Sequence, residues 1–253
     1  MKVKFPAVLI IAFSSLAFGS SCHNAPWNPA ASGDIVKNGA EKGERENSLP
    51  PLSEAEKRIL DKLGGELLPD QNIRIGNITI HRREMEISFP GSVNMTAGDM
   101  EVLIALPHGR VHESLLVSQT DPLELQLALL LAGAENGSRD GGEKIQQGTL
   151  LNIDIQPKDG KRMPVEDCLE DKNTSARLDR FGWVFVGSSF THDMRCLAKE
   201  EGNIVNIWSF GNTILDNPAS SGNNGHGVSV ITEKCPTYKP PVTIFISIKN
   251  PVK

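Results

Sequence analysis

The sequence predicts an α+β fold, a mainly antiparallel β-sheet with two or three packed helices. Three observations carry this. Apolar residues alternate with polar ones from about residue 73 to 118 and again near the C-terminus, the period of half-buried strands. Two segments, near residues 54–63 and 122–132, carry helix start and stop signals. Short stretches rich in Gly, Pro, Asn and Asp separate the apolar runs, as turns do. All of this falls within residues 51–253, which read as a single globular domain of ordinary size.

The elements follow in order. Ser53 and Glu56 form a capping box, Ile59, Leu60 and Leu63 make one stripe, and Gly64-Gly65 stops the helix. In "IRIGNITI" the apolar phase changes across Gly76-Asn77, which suggests a bulge or kink. "EMEISF", "SVNM", "DMEVLIAL" and "VHESLLVS" continue as an antiparallel meander, with turns at residues 81–83, Pro90-Gly91, residues 97–99 and "PHGR" at 107–110. Asp121 caps a second helix with Pro122 at its first position and Glu124 completing a box. Its leucines run almost all round, so it is expected to be buried against the sheet. "TLLNIDIQ" is a strand and "PVEDCLEDKN" a short helix. "GWVFVGSSF" and "NIVNIWSF" read as paired strands, "GNTILDNPASSGNNGHG" as a long polar loop, and "GVSVIT" and "VTIFISIKN" as the closing strands.

The N-terminus has a different logic. "MKVK" is positive, "AVLIIAFSSLAF" is apolar but too short for an ordinary membrane span, and small residues precede Cys22. Residues 1–21 read as a lipoprotein-type signal peptide, with Cys22 the lipidated residue. Gly19 stands where the usual pattern prefers Leu, so ordinary cleavage near residues 17–19 is the alternative. Residues 22–50 lack apolar periodicity and read as a disordered tether. The expectation is an exported bacterial protein anchored to a membrane through Cys22, periplasmic or at the cell surface. Its partner or ligand in the envelope is not named by the residues.

Composition narrows the function. The formal net charge is −5 and no basic run exceeds Arg82-Arg83, so no nucleic-acid partner is expected. With Cys22 lipidated, Cys168, Cys196 and Cys235 remain, and an oxidising compartment permits one disulfide among them, in any of three pairings. No Cys-x-x-Cys occurs, which excludes the usual zinc-ribbon and iron–sulfur patterns, and no metal or cofactor is expected. The P-loop, the dinucleotide fingerprint and the Gly-x-Ser-x-Gly elbow are likewise missing.

Two polar segments remain as a candidate site. "HGRVHESLLVS" (108–118) holds two histidines and a glutamate, but Leu116 stands where a His-Glu-x-x-His zinc motif needs histidine. On a strand, His112 and Ser114 face one way and Glu113 the other, which parts His112 from Glu113. Glu113 then shares a face with Leu115 and Val117 and needs a partner. The oxygen-rich loop at Asp216, Ser220 and Ser221 is the second segment. If a site exists, His112, Glu113 and Ser114 meet that loop, with His112 as acid–base or ligand group and Asp216 orienting it. A third cluster, His192, Asp193 and Cys196, reads as an exposed loop beside a cysteine.

Several stretches resemble the YdjY domain family of bacterial envelope proteins. They are "EMEISFPGSVNMTAGDMEVLIALPHGRVHESLLVSQTDPLELQLALLLAGAENG", "GWVFVGSSF", "EGNIVNIWSFGNTILDNPASS" and the Pro-Pro before the last strand, over roughly residues 70–250. The resemblance implies an envelope address and no established activity. Some members carry ferredoxin-like cysteine clusters; this chain has none, so no iron–sulfur role follows. The function expected is a lipid-anchored binding or scaffolding domain. The alternative is a metal-dependent or hydrolase-like enzyme using His112 and the 216–221 loop.

Overall fold

The computed structural model describes residues 49–140, 144–146, 148–208, 212–218, 227–236 and 240–249. The leader, Cys22 and nearly all of the tether lie outside the described residues, as do Ser220 and Ser221.

Local signals act as read in the first elements. Helix α1 spans Glu54–Lys62, with the Ser53 side chain accepting from the Glu56 amide at 3.2 Å and the Glu56 carboxylate accepting from the Ser53 amide at 2.6 Å. Two otherwise orphaned donors are thereby satisfied reciprocally. Strands β1 (Glu66–Leu67), β2 (Ile73–Ile75) and β3 (Ile78–His81) follow as a meander. The phase change at Gly76-Asn77 is a hairpin turn and not a bulge or kink. A two-residue turn sets its flanking residues opposite one another. Ile75 therefore pairs with Ile78 and Ile73 with Ile80, and all four are buried.

Strands β4 (Glu86–Val93), β5 (Val102–Ala105) and β6 (Ser114–Val117) come next. Pro90-Gly91 is not a turn but lies inside β4. There the strand changes neighbours, from β3 at residues 86–88 to β6 at Ser92 and Val93. Proline, which lacks an N–H, sits at the interruption between the two ladders. The rest of the chain gives helix α2 (Pro122–Leu131), β7 (Ser138–Asp140), β8 (Lys144–Gln146), β9 (Leu150–Pro157), β10 (Met163–Pro164), β11 (Leu169–Asp171), β12 (Ala176–Arg177) and β13 (Trp183–Phe185). Helix α3 (Leu197–Glu201), β14 (Asn203–Asn206), β15 (Leu215–Asp216), β16 (Val228–Val230) and β17 (Pro241–Ile248) complete it.

Strands β4, β17, β9, β13, β15, β14, β5 and β6 are successive hydrogen-bonded neighbours, and β6 returns to pair with β4. They form a closed eight-stranded barrel. The expected α+β architecture is therefore corrected: the protein is mostly β, a barrel with extra strands, and its described helices are three short ones. An alternating pattern records which face of a strand is buried and not which strand lies beside it, so closure leaves no local mark. Two neighbouring pairs, β5–β6 and β14–β15, are parallel and not hairpins. Their connections, residues 106–113 and 207–214, are shorter than the usual crossover. Nor do β13 and β14 pair: β15 lies between them, inside the segment expected to be a loop.

A register row runs round most of the wall through Val93, Leu116, Ile104, Val205, Leu215 and Phe185. All are fully buried members of one core. The long strands β9 and β17 add Leu151, Ile153, Ile155, Val242, Ile244 and Ile246 in strict alternation. Helix α2 is less buried than expected. It packs on β3 and β4 through Leu125, Ala128 and Leu129, while Leu123 stays 36% exposed. Among the described residues no helix is long and apolar enough to cross a membrane.

Outside the barrel wall, Arg162 holds Glu86 with two hydrogen bonds of 2.9 and 2.5 Å, reaches Asp154 at 2.7 Å and stacks 4.1 Å from the Phe245 ring. A second polar tie is buried. Glu166, in the 3-10 turn Val165–Cys168, accepts from Trp183 Nε1 at 2.9 Å and is 4% exposed. Burial pushes its carboxyl above the ordinary value of 4.5. A carboxyl raised in the folded state binds its proton more tightly there than in the unfolded chain. Its stabilising contribution is complete below the unfolded value and is lost as pH rises through the folded one. Glu166→Gln keeps an acceptor for Trp183 and removes the titration. The variant is expected to gain stability relative to the parent as pH goes from 4 to 8, read by urea unfolding across that range. A constant difference between the two proteins counts against this.

Candidate functional site

The connection between β5 and β6 builds the region. Leu106 N–H donates to Gly202 O at 2.8 Å, which ties the turn to the end of α3. Gly109 packs directly on the Gly202 backbone: a Cβ there would lie 2.8 Å from Gly202 C and 3.0 Å from its Cα, and closer still to its carbonyl oxygen. The chain then passes through a 3-10 turn, Val111–Glu113, and enters β6 parallel to β5.

That turn overturns the expected separation of His112 from Glu113. In a 3-10 turn successive residues do not alternate across two faces, and His112 Nε2 lies 3.6 Å from Glu113 Oε1. Glu113 has its partner in Arg110, which donates to Glu113 at 2.9 Å and to Glu101 at 2.6 Å. The His112 side chain is 78% exposed and that of Glu113 20%. Ser114 is fully buried, and Asn94 Nδ2 donates to Ser114 O at 2.9 Å and to Val111 O. It is part of the wall.

Asp216 is fully buried in β15, in register with Val184 and Asn206. Between it and Ser114 stand β14 and β5. At ~4.8 Å per strand that is about 14 Å along the wall. The structure thus groups His112 with Glu113, Arg110 and Glu101, and sets Asp216 in different surroundings. His192 and Asp193 lie in an exposed loop, where Thr191 and Arg195 hydrogen bonds hold the Asp193 carboxyl below its ordinary range. Among the described residues no three of His, Cys, Asp and Glu come together as a metal-binding group.

A cleft forms elsewhere, at the barrel rim. A groove of about 550 Å³ is lined by Leu106, Pro107, His108, Gln119, Asp121, Pro122 and Lys199. Its size is that of a small-molecule site. Three elements converge on it: the turn after β5, the entry to α2, and α3. His108 Nε2 contacts Lys199 O at 2.9 Å. A carbonyl only accepts, so Nε2 carries the proton and, in the neutral ring, Nδ1 is left as an acceptor. Lys199 Nζ donates to Asp121 at 2.5 Å, and this bond holds the lysine above its ordinary pKa. Asp121 also caps α2 by accepting from Leu123 N–H at 2.9 Å. Burial, and then the Asp121 charge, raise Glu124 nearby.

A smaller groove of about 270 Å³ adjoins it across Gln119, lined by Asn77, Pro90, Gly91, Ser92, Val117 and Ser118. Beside it runs a hydrogen-bond chain: Ser118 Oγ donates to Pro90 O at 2.7 Å and accepts from Thr120 N–H at 3.2 Å, and Thr120 Oγ1 donates to Asn77 Oδ1 at 3.0 Å. This chain fixes the end of β6 against β4. Sequence reading takes Asp121 for a helix cap and leaves Lys199 unremarked, because residues so far apart in sequence meet only through the parallel β5–β6 step.

The groove offers an apolar floor of Leu106, Pro107 and Pro122, with amide, imidazole and ammonium groups at its edge. Among the described residues its lining contains no hydroxyl or thiol. Against known proteins, residues 78–247, well over half the chain, match the family model of the YdjY domain. No curated protein and no solved structure matches the chain.

Proposed function

This chain belongs to the YdjY domain family, and from that premise we propose that it is an exported, lipid-anchored envelope protein whose barrel binds a neutral ligand with one apolar face. The binding site in this reading is the rim groove at His108, Gln119 and Lys199. The charged, apolar and small-residue order before Cys22 supports export and anchoring.

One observation carries the choice of ligand: the groove's charges are already spent on each other. Lys199 is paired with Asp121, and Asp121 is committed to the α2 cap as well. A charged ligand would have to break that pair, whereas a neutral one needs only an apolar surface and hydrogen bonds.

Amide NMR spectra of the purified, ¹⁵N-labelled chain test this with two probes below their micelle thresholds, octyl glucoside and octanoate. Octyl glucoside is expected to move the Leu106, His108, Gln119 and Lys199 amides saturably, and octanoate to move them less. Shifts that scatter over the surface without saturating, or a stronger response to octanoate, contradict the reading.

A further inference from the structure

Cys168 and Cys235 are brought together by the small sheet outside the barrel. Cys168 ends the 3-10 turn Val165–Cys168 and is fully buried. Strand β11 begins at the next residue and pairs with β16, Leu169 opposite Val230. The ladder continues one step further, with Ile231 N–H donating to Cys168 O at 2.8 Å. The chain then makes a single helical turn: the Lys234 and Cys235 amides both donate to Ile231 O, at 3.0 and 3.1 Å. That turn carries Cys235 back over the residue that pairs with Cys168. Cys168 Sγ reaches Lys234 O, the carbonyl just before Cys235, at 3.8 Å, and each thiol is the largest influence on the pKa of the other. Cys196 lies elsewhere, at the cap of α3 and bridged to Phe190.

We infer that Cys168 and Cys235 form one disulfide site, closed by exchange with an external small-molecule disulfide, and that Cys196 stays a thiol. The pairing rests on this geometry; closure in the cell rests on the export reading as well.

Exposure sets the order of the steps. Cys235 is partly exposed and Cys168 is enclosed. The contact with Cys168 also lowers the pKa of Cys235, while the same contact and burial raise that of Cys168. The Cys235 thiolate attacks one sulfur of the external disulfide, forms a mixed disulfide and expels one thiolate. Cys168 then gives up its proton and attacks the Cys235 sulfur, expelling the second. Two protein thiols are oxidised and the external disulfide is reduced to two thiols, so electrons and protons balance. The bond ties the turn before β11 to the segment after β16 and closes the chain between residues 168 and 235, which includes β13, β14 and β15 of the wall.

The test uses the full chain, reduced, exposed to oxidised glutathione, alkylated and digested for mass spectrometry. The expected product is a peptide pair joined through Cys168 and Cys235, two hydrogens lighter, with Cys196 alkylated. Cys168→Ser is expected to stop at a glutathione adduct on Cys235, and Cys196→Ser to close normally. A cross-link through Cys196, or a lasting Cys235 adduct in the parent, overturns the pairing. Thermal melting gives a second readout. Adding dithiothreitol to the oxidised parent or to Cys196→Ser should lower Tm by about 5–15 °C. Cys235→Ser should show no such drop, and a drop there also overturns the pairing. Alkylation in whole bacteria separates the two supports: a pair that closes in vitro but is found reduced in cells leaves the site standing and overturns its closure on export.

Discussion

Phe185→Ala is expected to cost about 3–5 kcal/mol of folding free energy, the range for removing a large aromatic side chain from a packed core. Phe185 is fully buried and stands at one end of the register row that passes through Leu215, Val205, Ile104 and Leu116 to Val93. Its neighbours are fixed to strands on both sides: β13 pairs with β15 at Phe185–Leu215, and the Phe185 amide donates to Thr149 O at 3.0 Å. A wall held this way cannot slide inward to fill the space, so the cavity term adds to the lost burial. Urea unfolding followed by circular dichroism reads the loss as a fall in midpoint at constant slope. A loss under about 1 kcal/mol would place Phe185 in an environment that can collapse or is wet, against the barrel core described above.

Gly109→Ala is the second large effect expected, about 2–3 kcal/mol, at the upper part of the usual overpacking range. The reason is what the new methyl would meet. The atoms around it are the carbonyl, Cα and oxygen of Gly202, all backbone, with no flexible side chain to move aside. Gly202 is itself pinned at a φ of +76° as the C-cap of α3. Relief must come from parting the turn and the helix end, and that strains both Leu106 N–H···O Gly202 and His108 Nε2–H···O Lys199. Gly109→Ala should therefore also abolish the saturable octyl glucoside shifts. His112→Ala, three residues on, removes an exposed ring and is expected to change stability by less than about 0.5 kcal/mol. Gly109→Ala with parental stability and parental probe binding would show that the turn does not rest on α3.

How much of this could be read from the chain alone depends on whether the signal is local. The α1 capping box, the Asp121 cap with Pro122, and the alternation of β9 and β17 are each written in a few adjacent residues, and the structure has them where the pattern put them. Closure of the barrel is different. Val93 and Leu116 are partners across the closing seam, yet nothing in either residue names the other. The "PHGR" stretch looks like a hairpin turn, and its packing of Gly109 on Gly202 makes it a parallel return instead. The same locality explains the site. His112 and Glu113 stand out as neighbours in sequence, and the 3-10 turn that brings them into contact has no clear pattern. His108, Asp121 and Lys199 converge only once three elements are folded.

The most direct test of the account is the seam between β4 and β6, because it closes the barrel and holds Ser118 against Pro90 beside the groove. NMR of the labelled chain should give cross-strand contacts from Val93 to Leu116 and from Ser92 to Val117, alongside those joining β6 to β5. Amide exchange in β6 should be as slow as in β17 at the centre of the wall. Absence of the β4–β6 contacts, with β6 exchanging like an exposed edge, would mean an open sheet and would contradict both the barrel and the groove built on its closure.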